Sequence, residues 1–161
     1  MTNTFSHEPN DYQCPFCLLV NGGNDEYSTQ DDIVFKNDTV TAKISPKWWV
    51  NNPGHVIVVP NQHYENIYDT PDDVAAEVYK VVKKVSVAIR STYDCDGTSS
   101  RQHNEPAGNQ DVWHLHVHVF PRYENDKLYQ QHDNKRFVSA DERAPYAKKL
   151  RAYFEVRDEA M

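Results

Sequence analysis

The sequence contains no apolar run that approaches the length of about 20 residues needed for a transmembrane helix. Its first residues also lack the basic and apolar segments that make up a secretory signal peptide. These two absences argue against a membrane-spanning or secreted protein. We therefore expect a cytoplasmic protein without a membrane partner.

Cysteine is scarce and positive charge is in deficit. Three cysteines, an odd number, argue against a disulfide framework and indicate a reducing compartment. Lysine and arginine number 17 against 24 aspartate and glutamate residues, which gives a formal net charge of −7. This balance argues against nonspecific binding of nucleic acid through a basic face. The net charge does not exclude binding of a phosphorylated small molecule, because that interaction depends on the hydrogen-bond donors at the binding site.

The sequence also lacks internal repeats, a low-complexity linker and any sign of a second domain. We therefore predict one domain over residues 1–161, a length that buries about two-thirds of the unfolded surface. Residues 1–10 are polar and are expected to be loosely held. Residues 123–161 form a C-terminal extension that is predicted to contain a helix. Three histidines are expected to be solvated at the surface: His7, His103 and His132.

Local patterns predict short strands and two helices. An almost wholly apolar run before Pro60 is typical of a central strand that is covered on both faces. The predicted strands lie at 33–35, 40–44 and 55–59, with a further strand edge within 98–108. Thr70-Pro71 starts a helix whose apolar stripe, at spacings of three and four, ends near Tyr93. A last helix begins at Ser139, which has capping-box spacing to Glu142.

The most informative stretch is residues 113–120, in which apolar residues and histidines alternate strictly. Alternation with a period of two is typical of a β-strand, so His114, His116 and His118 are predicted to share one face. Each neutral imidazole carries a donor and an acceptor that need partners once buried, which makes three of them poor core material. A functional row of histidines is therefore favoured over a half-exposed structural strand.

A histidine on such a strand can act as a nucleophile, a proton shuttle or a metal ligand near neutral pH. Attack on phosphorus requires one ring nitrogen aimed at the phosphorus, an acceptor on the other nitrogen and donors for the phosphoryl oxygens. His116, flanked by two further histidines, has this layout. Gln110, just upstream, supplies a neutral amide donor for a phosphoryl oxygen.

Cys14-Pro15-Phe16-Cys17 places two thiols at the spacing of a disulfide, a redox pair or half of a zinc site. The βαβ surroundings of a thioredoxin-like redox site are not evident in the sequence. Two thiolates offered to zinc are therefore favoured, provided that two further ligands exist elsewhere in the chain. Cys95 has no second thiol nearby and is predicted to be inert.

The run from His114 to Arg122 resembles the His-x-His-x-His signature of the histidine triad (HIT) family of nucleotide hydrolases and transferases. Gln110 stands where the family carries its glutamine, and Asn104 matches the family's upstream asparagine. Residues 53–63 match the Gly-His-x-Leu-Val-x-Pro block, and Cys14-x-x-Cys17 matches the zinc knuckle of the zinc-bearing members. The resemblance covers most of the chain, with its blocks in the family's order.

This resemblance implies an α+β fold with a central antiparallel sheet of about five strands, a long helix and a C-terminal helix. It also implies a homodimer formed through the long helix. By position, His116 is the nucleophile that takes a nucleotidyl or phosphoryl group from a phosphate ester, anhydride or phosphoramidate. His118 would contact a phosphoryl oxygen or the leaving group, and Gln110 would hold the transferred phosphate. Asn104 is carried over as a further substrate-binding residue.

The zinc-bearing relatives imply four ligands in a closed, tetrahedral structural site that orients the strand without touching substrate. His114 cannot bind zinc and relay a proton at the same time, and we assign it to the metal. His55 is interpreted as a group that orients the neighbouring strand. The implied zinc ligands are Cys14, Cys17, His63 and His114.

Two features depart from the family's pattern. Lys43 stands where many members carry an Asp or Asn that grips the ribose hydroxyls. A cation cannot accept those hydrogen bonds, but it can neutralise a polyphosphate, so Lys43 is predicted to bind substrate. The loop that holds Trp48 and Trp49 is longer than the common form, and the two tryptophans are either core residues or a surface that stacks on a ring.

Three hypotheses follow. The leading one is a nucleotide hydrolase or nucleotidyltransferase that acts on dinucleoside polyphosphates or nucleoside phosphoramidates through a covalent nucleotidyl-histidine. A second is a metal-dependent hydrolase in which His114, His116 and a further residue hold a catalytic zinc with an open position. A third is a non-catalytic nucleotide sensor that keeps the pocket and acts through a partner.

Overall fold

The computed structural model describes residues 5–131 and 133–158 and shows an α+β fold built around a five-stranded antiparallel sheet. The large sheet has the order β1-β2-β4-β6-β5, and β3 pairs with β7 in a small sheet. The predicted fold class is confirmed. The strands are β1 (Ile33–Lys36), β2 (Val40–Ile44), β3 (Lys47–Trp49), β4 (Val56–Pro60), β5 (Gly97–Gln102), β6 (Val117–Arg122) and β7 (Lys135–Phe137). The helices are α1 (Pro15–Val20), α2 (Asp72–Thr92) and α3 (Ala140–Asp158).

The central strands β2 and β4 are buried along their whole length, as the apolar run before Pro60 predicts. Helices α2 and α3 cover one face of the sheet and form the main core with inward-facing strand residues such as Val56 and Val58. Because strand side chains alternate between faces, Ile57 and Val59 point the other way, where they pack on Phe16 of α1. This second face of the sheet carries the candidate site.

Both long helices begin close to their predicted starts, but Thr70 does not cap α2, because Pro71 is the N-cap and the Thr70 hydroxyl donates to the carbonyl oxygen of Asn66 at 2.8 Å. Helix α2 runs from Asp72 to Thr92 and buries one stripe toward the sheet. At the start of α3, the backbone N–H of Glu142 donates to Ser139 Oγ at 3.3 Å, and the Glu142 carboxylate accepts from the backbone N–H of Ser139 at 3.0 Å. The predicted capping box is therefore confirmed. No helix in the described part of the chain combines the length and apolarity of a membrane span.

Strand β6 begins at Val117, whereas the alternation predicts a strand from Trp113. The hydrogen-bond ladder between β4 and β6 ends here because the carbonyl oxygen of Pro60 accepts a hydrogen bond from the His114 ring, at 2.9 Å, and not from the backbone of a neighbouring strand. The prediction of one continuous strand is therefore wrong in its first half. His114 and His116 lie in a loop that leads directly into β6.

The small sheet joins two segments that lie far apart in the sequence. Lys47 of β3 pairs with Phe137 of β7, and Trp49 pairs with Lys135. The segment around β3 is predicted as a loop, which is wrong, because a pairing partner beyond residue 130 leaves no trace in the local pattern. The pairing brings the C-terminal extension to the rim of the candidate site.

Candidate active site

A cleft of about 280 Å³ opens on the second face of the large sheet. Its wall includes residues of β2, β4 and β6, together with residues of the small sheet and of the loop before β6. Its lining has more cationic side chains than carboxylates, so it suits an anionic ligand. The charged and histidine residues of the lining are Lys43, Lys47, Arg101, His103, His116, His118, Lys135, Asp25 and Asp111.

His116 is buried, with 3% of its side chain exposed, and its two ring nitrogens have different partners. Its Nδ1 lies 2.7 Å from the carbonyl oxygen of His114, and since a carbonyl only accepts, Nδ1 carries the proton. Its Nε2 therefore keeps the lone pair and lies 3.7 Å from Oδ1 of Asp111 at the mouth of the cleft. A nucleophilic imidazole requires this arrangement, in which a hydrogen bond holds one ring nitrogen and the other nitrogen faces the cleft with its lone pair.

His118 lies beside His116, and the centroids of the two rings are 5.1 Å apart. It stacks on Phe120, and its Nδ1 lies 3.3 Å from Nε2 of His55. Burial lowers the pKa of His118 well below its usual value and lowers the pKa of His55 to about 3. Both rings are therefore neutral near pH 7. His118 can contact a ligand in the cleft without adding a charge.

Cys14, Cys17, His63 and His114 converge on one point. One ligand atom from each residue lies within 4.8 Å of the other three. Cys14 Sγ is 3.3 Å from His114 Nδ1, Cys17 Sγ is 3.3 Å from His63 Nδ1, and the two Nδ1 atoms are 3.1 Å apart. Metal bonds of about 2.3 Å to sulfur and about 2.0 Å to nitrogen in a tetrahedron give ligand separations of this size. The group therefore fits a tetrahedral metal ion.

The outer nitrogens of both histidines support this fit. His63 Nε2 lies 2.6 Å from the carboxylate of Glu8, and His114 Nε2 lies 2.9 Å from the carbonyl oxygen of Pro60. These acceptors hold the proton on Nε2, as is usual for histidine ligands, and leave two Nδ1 lone pairs facing each other. Such lone pairs repel unless a cation lies between them. Neither Cys14 nor Cys17 is part of a disulfide, so both sulfurs are available as ligands. Burial raises the pKa of the Cys14 thiol to about 12.

Gln110 and Asn104 lie outside the lining of the cleft. The amide nitrogen of Gln110 donates to the carbonyl oxygens of Glu65 at 2.5 Å and Val112 at 3.0 Å, and its Oε1 accepts from the N–H of Glu105 at 2.9 Å. The Oδ1 of Asn104 likewise accepts a backbone N–H. The two amides that were expected to face substrate are thus bound to the backbone that supports the loop before β6.

Arg101 and His103 line the cleft, although the sequence does not single out Arg101 and predicts a solvated surface position for His103. Arg101 lies opposite His118 in the β5–β6 ladder, and His103 follows two residues later. The His103 ring lies 6.2 Å from that of His118 and burial lowers its pKa, so the expectation of a solvated surface residue is wrong. A period of two carried along β5 is the signal that points to both residues. His7 is exposed as predicted, and His132 lies outside the described residues.

Lys43 and one of the two tryptophans belong to the cleft. Lys43 is 1% exposed, its ammonium donates to the hydroxyl of Ser28, and burial lowers its pKa to about 8. Trp49 also lines the cleft, whereas Trp48 packs in the main core and donates from Nε1 to the carbonyl oxygen of Ser45 at 2.6 Å. The core interpretation therefore holds for Trp48, while Trp49 packs on Phe120 and Leu128 and also faces the cleft, so stacking of Trp49 on a ligand ring stays a prediction.

Comparisons with known proteins identify the family of this chain. The family pattern described as the HIT domain matches residues 27–125. A HIT-like protein of Saccharolobus solfataricus is 33% identical over 113 residues, which are 70% of this chain and 76% of that protein. An adenylylsulfatase of Arabidopsis thaliana is 27% identical over 123 residues, 76% of this chain and 59% of that protein. A crystal structure of a Zn-bound histidine triad family protein from Mycobacterium smegmatis superposes with a TM-score of 0.75 at 25% identity, covering 92% of this chain and 98% of its own. The chain belongs to the HIT family.

Proposed function

We propose that the protein is a nucleotide hydrolase or nucleotidyltransferase that cleaves a phosphoanhydride or phosphoramidate bond through a covalent nucleotidyl-histidine at His116. The observation that carries this proposal is the unequal pair of nitrogens on that ring. The His114 carbonyl holds Nδ1 at 2.7 Å, while Nε2 opens into a cleft rich in cationic side chains. The relative from Arabidopsis thaliana is an adenylylsulfatase, which supports a nucleotide as substrate.

In the first step, the Nε2 lone pair of His116 attacks the phosphorus of the nucleotidyl group. The bond from phosphorus to the bridging atom breaks, and its electron pair leaves on that atom. The imidazole then carries phosphorus on Nε2 and a proton on Nδ1, and the His114 carbonyl stabilises the resulting positive charge. In the second step, water or another acceptor attacks the phosphorus and loses one proton. The electron pair of the breaking bond returns to Nε2.

The remaining site residues take roles that match their surroundings. His118 contacts a phosphoryl oxygen or the leaving group as a neutral ring, and Lys43 provides positive charge for a phosphate chain. The amide nitrogen of Gln110 donates to a backbone carbonyl and its amide oxygen accepts from a backbone N–H, so we assign Gln110 a positioning role. Together with Asn104, it holds the loop whose His114 carbonyl orients the nucleophile.

We assign a structural zinc ion to the group formed by Cys14, Cys17, His63 and His114. When bound, zinc supplies the charge that keeps the two thiolates ionised and links three segments of the chain. The protein fills all four ligand positions and His116 lies outside the group, which disfavours the alternative of a catalytic zinc with an open position. The M. smegmatis relative is a Zn-bound protein, which supports this choice of metal.

A cytoplasmic location and a homodimer formed through α2 remain predictions. The side of α2 that faces away from the sheet exposes Tyr79 by 50% and Val87 by 45%. Sedimentation of the wild type and of Val87→Glu tests the dimer, because a charge in the interface would dissociate it. Equal sedimentation of the two proteins as dimers would contradict an interface at this face.

Turnover measurements test the proposed function. Dinucleoside polyphosphates, adenylylated amines and sugar nucleotides are offered to the wild type, to His116→Asn and to the control His7→Asn, which alters an exposed histidine. We expect the wild type to cleave at least one anhydride or phosphoramidate, and His116→Asn to lower kcat by about 10⁴-fold or more. The control is expected to stay within about twofold of the wild type. A His116→Asn protein with wild-type turnover, or a wild type inert toward all three classes, contradicts the proposal.

A further inference from the structure

Arg101 is the strongest cationic feature of the cleft that the proposed chemistry leaves without a role. It lies on the edge strand β5 directly opposite His118 of β6, so the two side chains share the face of the sheet that forms the cleft. Its guanidinium carbon lies 4.6 Å from the ring centroid of Phe120, 5.1 Å from that of Trp49 and 5.4 Å from that of Tyr129. Three aromatic rings therefore fix the position of this cation.

The charge of Arg101 is not balanced by protein. Among residues 5–131 and 133–158, no carboxylate forms an ion pair with it, and its buried Nε has no hydrogen-bond partner. The neighbouring rings of His55, His118 and His103 have pKa values lowered by burial and supply no countercharge to Arg101. Arg101 is partly buried, and burying its Nε without a partner is unfavourable, so an anionic ligand would supply the missing partner.

The surroundings of Arg101 add to the positive potential. The ammonium of Lys135 lies 5.2 Å from the ring centroid of Trp49, so the same tryptophan contacts two cations. Lys43 and Lys47 line the same cleft, whereas only Asp25 and Asp111 contribute carboxylates to it. A ligand with one phosphate at the nucleophile leaves this further positive charge unused.

We propose that Arg101 binds a second phosphate of the substrate, next to the phosphate that His116 attacks. This inference rests on the proposed function and narrows it to nucleotides with two or more consecutive phosphates. Residues directly opposite each other in an antiparallel pair have Cβ atoms about 4.5–5.5 Å apart, so groups held by His118 and Arg101 lie close together. Neighbouring phosphates of a polyphosphate chain meet that requirement. The planar guanidinium donates two parallel hydrogen bonds to a phosphate, which an ammonium cannot do.

Binding in a His116→Asn background tests Arg101 without turnover. The probes are AMP, ADP, orthophosphate and pyrophosphate, each titrated calorimetrically into His116→Asn and into its double variants with Arg101→Gln, Arg101→Lys or Arg90→Gln. Arg90→Gln is the control, because it removes one exposed positive charge on α2, away from the cleft. Thermal unfolding of each variant verifies that it is folded.

We expect the His116→Asn protein, the parent of the double variants, to bind ADP more tightly than AMP and pyrophosphate more tightly than orthophosphate. Arg101→Gln should weaken the diphosphates by about 10–100-fold, the size of one charge-assisted contact, and change the monophosphates by less than about threefold. Arg101→Lys should recover only part of the loss, and Arg90→Gln should cause none. The proposal is wrong if the parent shows no preference for diphosphates, or if Arg101→Gln weakens both kinds of probe equally. Because no bond is cleaved in this assay, its outcome is independent of whether the wild type turns over a nucleotide.

Discussion

The carbonyl oxygen of His114 lies 2.7 Å from Nδ1 of His116, while the His114 ring points away to the thiols of Cys14 and Cys17. One residue thus joins the candidate metal group to the candidate nucleophile, the first through its side chain and the second through its backbone. We therefore expect a change in the metal group to alter the orientation of the His116 ring. The two sites are therefore structurally coupled, although substitutions can alter the ligands of one site without removing the residues of the other.

Loss of a metal ligand is expected to reduce stability first and turnover as a consequence. Cys17→Ser should lower bound zinc from about one ion per chain to a small fraction, and lower the free energy of unfolding by about 2–5 kcal/mol. Elemental analysis and urea unfolding measure the two quantities. Cys95→Ser is the control, because Cys95 lies outside the group and should leave the zinc content unchanged. Full zinc content in Cys17→Ser would rule out the assigned ligand set.

His55 makes the stability of the fold depend on pH. Burial lowers its pKa to about 3, below the unfolded value of about 6.5, so the unfolded chain binds a proton between these values and the folded chain does not. Its contribution to stability is therefore complete above pH 6.5 and is lost as the pH falls. Between pH 7 and pH 5 this one group should remove about 2 kcal/mol of unfolding free energy.

His55→Phe isolates this term, because the His55 ring stacks on Phe120 and contacts Trp49 in surroundings that accept an aromatic ring. Urea unfolding at pH 7 and pH 5 should show a loss about 2 kcal/mol smaller in His55→Phe than in the wild type. Equal losses in the two proteins would mean that His55 is not the buried neutral group described above.

Lys43 is expected to make ligand affinity fall at alkaline pH. Burial lowers the pKa of this lysine to about 8, and the nearby Asp32 is already paired with Arg143 at 2.7 Å. The ammonium is charged below that pH and neutral above it, so a phosphate chain loses an attractive charge between pH 7 and pH 9. In the His116→Asn background, ADP affinity should fall by about 10-fold over this range, and Lys43→Met should remove most of that change. An equally steep decline in Lys43→Met would assign the effect to another group.

The sequence predicts those parts of the fold whose signals are local. The stripe of α2, the capping box of Ser139 and Glu142, and the buried strand before Pro60 each depend on residues a few positions apart. The four residues of the candidate metal group are named by the family resemblance, and the structure brings them within 4.8 Å of one another. The resemblance was informative here although the group lies outside the sheet, at the start of α1 and in the loops after β4 and before β6.

What the sequence misses depends on long-range pairing. Strand β6 starts late because the His114 ring takes the Pro60 carbonyl, a contact between segments that share no local pattern. The β3–β7 pair and the placement of Arg101 in the cleft depend in the same way on distant partners. Gln110 is predicted to face the phosphate, but in the structure its amide binds backbone, with two partners in the loop before β6 and a third, the carbonyl oxygen of Glu65, in the segment after β4.

The most direct test of the account is a search for phosphorus on His116 during turnover. Wild type and His116→Asn are mixed with a dinucleoside polyphosphate labelled on the attacked phosphate, quenched in alkali within milliseconds and mapped by mass spectrometry of proteolytic peptides. A covalent nucleotidyl-histidine mechanism predicts an alkali-stable, acid-labile nucleotidyl group on the peptide that contains residue 116, present in the wild type and missing from the variant. Efficient turnover by the wild type with no label on His116 at any quench time would contradict it.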